Sequence, residues 1–159
     1  VNGAEKMNIV LLNPEIPYNT GNIARTCVLT GTGLHLIKPL GFSLDEKQIR
    51  RAGLDYWKDV KLTVWDSLTE LMESNKNAKF YFATTKTRQK YTDPVYREDD
   101  YIVFGPESRG VPEEILLENK ENCITIPMLP KGRSLNLSNS AAIILYEALR
   151  QNEFRMRDI

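Results

Sequence analysis

The residues best suited to chemistry lie in three loops, each of which directly follows a run of apolar residues. The first loop, residues 13–25, is rich in turn formers and amides, contains Asn19 and ends at Arg25. An arginine beside the free amide groups at the start of a helix is suited to binding a phosphate. An ordinary helix cap with a solvated Arg25 explains the pattern equally well, so this loop by itself leaves both interpretations open.

The second loop, residues 104–110 (FGPESRG), combines two glycines with a carboxylate. Glycines permit close approach of the backbone to a ligand. Glu107 can accept hydrogen bonds from the hydroxyl groups or the amine of such a ligand. A plain tight turn would need fewer special residues, so we expect a binding loop here.

The third loop, residues 126–139, places Lys131 and Arg133 beside several serines and asparagines. A solvated loop followed by a helix cap from Ser138 or Asn139 accounts for part of this composition. It does not account for the density of hydroxyl and amide side chains next to two cations. We therefore expect this loop to contact a ligand as well.

The segments between these loops alternate between strand and helix patterns, which predicts an α/β fold. Short apolar runs predict strands at residues 8–12, 34–37, 62–65, 80–84, 101–104 and 123–126. Predicted helices cover residues 22–29, with Asn19 and Thr20 as cap candidates, and residues 45–51, 67–73, from 112 onwards and 138–151. Because hairpin signals are missing, we expect a mostly parallel sheet with helices on both faces. Ligands bind such sheets at the carboxyl ends of the strands, where all three loops begin.

Length and composition indicate a single domain of ordinary core size. The chain has 159 residues, 42% of them hydrophobic, with 21 basic residues balanced by 21 acidic ones. We expect residues 1–6 to be a terminal extension and residues 7–159 to form the domain. The apolar run at residues 141–146 is far too short for a membrane span, and the N-terminus lacks a signal-peptide pattern. We therefore expect a cytoplasmic protein without membrane contact.

The cysteines and the single histidine exclude several classes of site. Cys27 and Cys123 are 96 positions apart, and His35 is the only histidine. A zinc cage or another metal site is therefore not expected. His35 lies within the apolar run of residues 34–37, which predicts a sheet residue rather than a catalytic base. Ser/His/Asp and Cys/His mechanisms are accordingly disfavoured.

Taken together, the three loops resemble a known set of motifs. Their sequences, PEIPYNTGNIART, FGPESRGVP and IPMLPKGRSLNLSNS, are similar in order and spacing to the motifs of the SPOUT superfamily of RNA methyltransferases, and in detail to its compact single-domain branch. The similarity extends from about Met7 to Gln151. It implies an α/β fold with a C-terminal deep trefoil knot, although pattern reasoning alone would reject a knot. It also implies a homodimer that binds S-adenosyl-L-methionine in the knot.

The resemblance implies an activity and a set of cofactor contacts. The expected reaction is 2′-O-ribose methylation of tRNA at the wobble nucleotide 34, a cytidine or uridine of the anticodon stem-loop, with S-adenosyl-L-homocysteine as product. The expected cofactor residues, which act largely through backbone atoms, are Ala83, Thr84, Gly105, Ile126, Ser134 and Leu135. Two alternatives stay open: a methyltransferase for another tRNA position or for rRNA, and a non-catalytic nucleotide-binding or RNA-binding module.

The resemblance also suggests catalytic residues. A guanidinium with a pKa above about 12 is a poor base. We therefore interpret Arg25 as a phosphate anchor that also stabilises the developing alkoxide. Asn19 and Asn139 are expected to orient the ribose. Tyr146 is a weaker candidate for proton handling and can equally be a core aromatic residue.

RNA contact is expected from clusters of basic residues, although such clusters are also typical of solvated faces. Two copies in a dimer would double the local positive field. Tyr18 or Tyr91 is a candidate for stacking on a splayed base. The clusters are Lys47, Arg50 and Arg51; Lys86, Arg88 and Lys90; Lys131 and Arg133; and Arg150, Arg155 and Arg157.

Overall fold

A computed structural model describes residues 7–44, 47 and 57–156. Its centre is a sheet of six parallel strands in the order β3-β2-β1-β5-β4-β6. The strands are β1 (Asn8–Leu12), β2 (Gly33–Ile37), β3 (Leu62–Trp65), β4 (Phe80–Ala83), β5 (Tyr101–Phe104) and β6 (Cys123–Ile124). The prediction of an α/β fold with a parallel sheet is confirmed.

Helices cover both faces of this sheet, as predicted. They are α1 (Pro17–Thr30), α2 (Leu68–Glu73), α3 (Glu113–Glu118) and α4 (Leu137–Gln151), with short 3-10 turns at Trp57–Asp59 and Lys120–Asn122. One core cluster joins Ile9 and Leu11 of β1 to residues of α1 and α4. The other joins Val10 and Leu12 to residues of α2 and α3. Alternate residues of β1 therefore face opposite cores, which is why residues 9–12 are all apolar.

Two predicted segments lie outside the described residues. They are the terminal extension at residues 1–6 and the helix at residues 45–51, of which only Lys47 is described. The proposed domain boundary at Met7 therefore stays a prediction. Within the basic clusters, Arg50, Arg51 and Arg157 also lie outside the described part of the chain.

The predicted start of α1 was wrong. The helix begins at Pro17, five residues earlier than expected, because proline has no N–H to satisfy and suits the first helical position. Asn19 and Thr20 consequently lie inside the first turn and do not cap the helix. Arg25 lies eight residues beyond Pro17, about 12 Å along the axis, and is therefore not beside the free amides of the N-terminus.

Two boundaries near the third loop also differ from the prediction. Asn136, rather than Ser138 or Asn139, caps α4, and its side-chain oxygen accepts from the backbone N–H groups of Ser138 at 2.9 Å and Asn139 at 3.3 Å. Strand β6 ends at Ile124, two residues earlier than expected, since its partner β4 ends at Ala83. Ile126 therefore lies in the loop.

His35 is a sheet residue, as predicted, and its hydrogen bonds explain its protonation. The indole N–H of Trp65 donates to His35 Nδ1 at 3.0 Å. Indole can only donate, so Nδ1 is the acceptor and Nε2 carries the proton that bonds Asn8 Oδ1 at 3.0 Å. Burial lowers the pKa of His35 to about 4, which keeps this ring neutral.

Candidate active site

A cavity of about 660 Å³ opens at the carboxyl ends of β4, β5 and β6. This volume is in the range of small-molecule sites, and the position is the one expected for ligands of a parallel sheet. Its walls come from all three loops identified in the sequence and from the residues that follow β4. Every predicted cofactor residue lines it: Ala83, Thr84, Gly105, Ile126, Ser134 and Leu135.

Gly105 is required by the path of the chain itself. A Cβ atom at this position would lie 2.0 Å from the carbonyl carbon of Gly110 and 2.2 Å from the backbone nitrogen of Val111. Gly110 adopts a positive φ of 74° at the end of the turn. The second loop thus folds tightly onto its own start, so the two glycines have a reason that does not involve a ligand.

Glu107 holds the N-terminus of α1. Its carboxylate accepts from the backbone N–H groups of Glu15 at 2.9 Å and Ile16 at 3.0 Å. It also accepts from the side-chain amide of Asn19 at 3.2 Å. Ile16 is the N-cap residue of α1 and Glu15 precedes it, so Glu107 binds the chain where it enters the helix, near the positive end of the helix dipole. These contacts give Glu107 a role within the protein, and because Glu107 also lines the cavity, its interpretation as an acceptor for a ligand stays a prediction.

Glu15 makes the reciprocal contact from the first loop to the second. Its carboxylate accepts from the backbone N–H and from the hydroxyl of Ser108, both at 2.8 Å. The Ser108 backbone hydrogen bond, followed by the hydroxyl, lowers the pKa of Glu15. The first two loops therefore bind each other through two carboxylates.

Asn19 extends this network to the third loop. Its side-chain oxygen accepts from the amide of Asn136 at 3.1 Å, while its own amide donates to Glu107. Asn19 is buried and lines the cavity. Since Asn136 caps α4, one chain of hydrogen bonds joins all three loops. The sequence analysis missed Glu15 and Asn136 as partners, although an asparagine just before a predicted helix is a recognisable cap signal.

The other three predicted catalytic residues lie outside the cavity lining. Arg25 is on the exposed face of α1, and Asn139 and Tyr146 are on the exposed face of α4. Tyr146 is 44% exposed, so its interpretation as a core aromatic residue was wrong. Helices α1 and α4 pack against each other. The structure therefore brings Asn19 to the cavity but leaves Arg25, Asn139 and Tyr146 on the outer faces of these helices.

The cavity combines apolar walls with positive charge. Lys86, Arg109 and Arg133 line it, and Glu107 is the only acidic lining residue in the described part of the chain. Glu107 is occupied by its hydrogen bonds at the start of α1, so the three cations dominate the charge of the lining. The cavity therefore suits a molecule that has both apolar and polar parts and that carries, or lies beside, a negative charge. Among residues 7–44, 47 and 57–156, no group of three or more His, Cys, Asp or Glu side chains could hold a metal ion.

Comparison with known proteins gives consistent similarities. Residues 6–146 match the model of the SpoU rRNA Methylase family. A relative from Methylovorus glucosotrophus, named tRNA (cytidine(34)-2′-O)-methyltransferase, is 49% identical over 148 residues, which are 92% of this chain and 96% of the relative.

Solved structures agree with the sequence comparison. One from work on the 2-OH methylation of C/U34 on tRNA has a TM-score of 0.88 and 42% identity, and the match covers 96% of this chain and all of that one. An AdoMet-bound rRNA methyltransferase from Sinorhizobium meliloti has a TM-score of 0.82 at 21% identity, covering 94% of this chain and 58% of that one. This second likeness shows the fold alone.

Proposed function

Because this chain belongs to the SpoU rRNA methylase family, we propose that it transfers a methyl group from S-adenosyl-L-methionine to the ribose 2′-hydroxyl of nucleotide 34, a cytidine or uridine, in the anticodon loop of tRNA. The similarity of its three motifs to RNA methyltransferases is confirmed by that membership. The observation that carries the substrate assignment is the 49% identity, over nearly the full length of both chains, to a relative named for this reaction.

The cavity fits the cofactor in size and chemistry. Its volume of about 660 Å³ can enclose a nucleoside with a short side chain. Ile126 and Leu135 can cover the faces of an adenine, and backbone groups near Ala83 and Gly105 can pair with its polar edge. Thr84 and Ser134 add hydroxyl groups to the cavity lining. When bound, S-adenosyl-L-methionine supplies a methyl group on a sulfonium centre.

The remaining work of the enzyme is to align the 2′-hydroxyl and to manage its proton. Alignment alone can supply several kcal/mol of rate acceleration and needs no metal. Asn19, at the cavity wall, and Asn139 would orient the ribose. Arg25 would bind a phosphate and stabilise the developing alkoxide, while Tyr146 is the candidate for handling the proton.

We propose that the enzyme is a homodimer joined through the outer faces of α1 and α4. Tyr18 and Leu29 on α1 are 60% and 58% exposed, and Tyr146 on α4 is 44% exposed. These faces also carry Arg25 and Asn139. A second copy covering them would bury the apolar side chains and would place the catalytic candidates at an interface, next to a cavity, instead of in solvent. Sedimentation velocity at micromolar concentration should give a dimer.

We also propose the C-terminal trefoil knot. Strand β6 lies at one edge of the sheet, beyond β4, whereas α4 packs on α1 and contacts β5 in the middle. Residues 125–136 must therefore cross back over the ends of β4 and β5, where the second loop is also folded. An experimental structure in which this segment passes beside that region, and not through a loop, would exclude the knot.

The proposed substrate implies a cytoplasmic enzyme. In the described part of the chain, no helix has both the length and the apolar character that a membrane crossing demands.

The reaction can be tested by mass spectrometry of nucleosides from unmodified tRNA incubated with the protein and labelled cofactor. We expect label at the ribose of nucleotide 34, and none in a stem-loop with a 2′-deoxynucleotide at that position. Label at another tRNA position or in rRNA would favour the first alternative. RNA binding without any transfer would favour a non-catalytic module.

A further inference from the structure

The cations of this protein divide into those held by acidic side chains and those without such partners. Arg150 binds the carboxylate of Glu147 through two hydrogen bonds of 2.9 and 3.1 Å. Arg155 binds Glu98 at 2.9 Å. Both arginines were candidates for RNA contact, but each is paired with a carboxylate that compensates its positive charge.

The cations around the cavity mouth differ. Lys86 and Arg133 line the cavity, and Arg88 and Lys131 are exposed on the same two loops. Within residues 7–44, 47 and 57–156, none of these four side chains has an ion-pair partner. Arg109 also lines the cavity, but its positive charge contributes to the lowered pKa of Glu15, so we do not include it in this group. We refer to Lys86, Arg88, Lys131 and Arg133 as the cation rim.

The two loops of the cation rim are held side by side. The backbone N–H of Thr125 donates to Gln89 at 2.8 Å, and that of Tyr91 donates to Thr125 at 2.9 Å. The segment after β4 therefore runs along the segment after β6. Lys86 and Arg88 lie on the first segment, and Lys131 and Arg133 lie on the second. Residues 84–91 and 125–136 contain no acidic side chain, so the positive charges of the two segments reinforce one another at the cavity mouth.

Exposed apolar side chains lie within the same rim. Met128, Leu129 and Leu135 are 40%, 72% and 39% exposed on the loop that carries Lys131 and Arg133. Single-stranded RNA presents phosphates together with unstacked bases, so it complements a surface that alternates cations with apolar groups. The phosphates would bind the cations, and a splayed base would cover Met128 and Leu129, since Leu135 is assigned to the cofactor.

We propose that the cation rim binds the phosphodiester backbone of the anticodon loop, with Lys86 and Arg133 contacting phosphates on either side of the nucleotide that enters the cavity. This inference rests on the proposed function. Among the basic clusters, it favours the two at the cavity mouth over Arg150 and Arg155, whose charges are compensated by Glu147 and Glu98. Tyr91 is disfavoured as well, because it is partly buried against the core.

The test is a salt series of binding between a fluorescent, unmodified anticodon stem-loop and the full chain. For single strands, each phosphate contact contributes about 0.7 to the slope of log K against log salt concentration. The double variant Lys86→Gln/Arg133→Gln should therefore lower the magnitude of this slope by about 1.4. Its affinity for S-adenosyl-L-homocysteine, measured by calorimetry, should stay within a few-fold of wild type.

Two controls separate a local contact from an effect of net charge. Lys58→Gln/Lys61→Gln removes the same charge near β3, at the opposite edge of the sheet, and should keep the wild-type slope. Arg150→Gln should keep it as well, since its guanidinium is bound to Glu147.

Several results would overturn the proposal. One is an unchanged slope in the rim variant, and another is an equal decrease in the Lys58/Lys61 control. Loss of cofactor affinity with an unchanged slope would show that Lys86 and Arg133 hold the cofactor carboxylate instead. If wild type binds the stem-loop through the rim but leaves nucleotide 34 unmethylated, the proposed function fails while the rim stands.

Discussion

Glu107 offers the clearest test of whether the site is organised by the protein's own hydrogen bonds or by contacts to a ligand. In Glu107→Gln, one side-chain oxygen remains, but the second acceptor becomes an NH₂ group. That group would face N–H donors at the start of α1 or the amide of Asn19, which are 2.9 to 3.2 Å from the present carboxylate. At least one of these donors therefore loses its partner.

The expected loss of stability is about 1 to 4 kcal/mol. Leaving the donor of buried Asn19 unsatisfied costs about 1 to 3 kcal/mol, and removing a negative charge from a helix N-terminus costs about 0.3 to 1 kcal/mol. For a chain of this length, this corresponds to a decrease in Tm of roughly 3 to 16 °C. Cofactor affinity should fall as well, because Asn19 links the first loop to Asn136 of the third.

The assay combines urea unfolding with calorimetric titration of S-adenosyl-L-homocysteine. Glu114→Gln is the matched control, since this exposed carboxylate lies in the first turn of α3 and should cost no more than about 1 kcal/mol. The reasoning is refuted if Glu107→Gln unfolds like wild type while kcat/KM collapses. Glu107 would then act on a ligand, as its sequence context first indicated.

Four further predictions follow from the structure. The pKa of His35 is about 4 in the folded protein and 6.5 in the unfolded chain, so its contribution to stability is complete above pH 6.5 and is lost as the pH falls towards 4. The free energy of unfolding should therefore be about 2 kcal/mol lower at pH 5 than at pH 7.5 because of this group, and an equal pH difference in His35→Gln would contradict this. Gly105→Ala should cost more than about 3 kcal/mol because of its clash with Gly110, whereas Gly132→Ala, with open space around it, should cost about 1 to 2 kcal/mol; similar denaturation midpoints would show that the second loop can yield. Arg25→Ala should remove nearly all methyl transfer and keep the cofactor affinity within a few-fold of wild type, and Arg25→Lys should lose most activity if the planar, bidentate geometry of the guanidinium matters. Near-normal turnover of Arg25→Ala would move the chemistry to Tyr146 or the third loop. Calorimetric binding of S-adenosyl-L-homocysteine should be unchanged in EDTA, and loss of binding on chelation would show a metal requirement.

The sequence by itself determined the sheet and the location of the cavity. Strands β1 and β5 are buried on both faces, so residues 9–12 and 101–104 are runs of apolar and aromatic residues, which is a local signal. The rule that ligands bind at the carboxyl ends of parallel strands then located the cavity in the three loops. The residues assigned to cofactor binding from motif resemblance all line that cavity, which these same loops build.

Tertiary structure decided what the polar side chains of those loops contact. Glu107 binds the start of a helix that begins 90 positions earlier in the chain, and Asn19 bonds Asn136, 117 positions away. No local pattern encodes such pairs, because they exist only after the sheet has brought the ends of β1, β5 and β6 to one edge. Gly105 differs, because it meets the backbone of Gly110 and Val111 within its own loop, where the sequence already indicated a special turn. The pairing of Arg150 with Glu147, three residues earlier on α4, is a local helical spacing, whereas only the tertiary structure places Lys86 at the cavity.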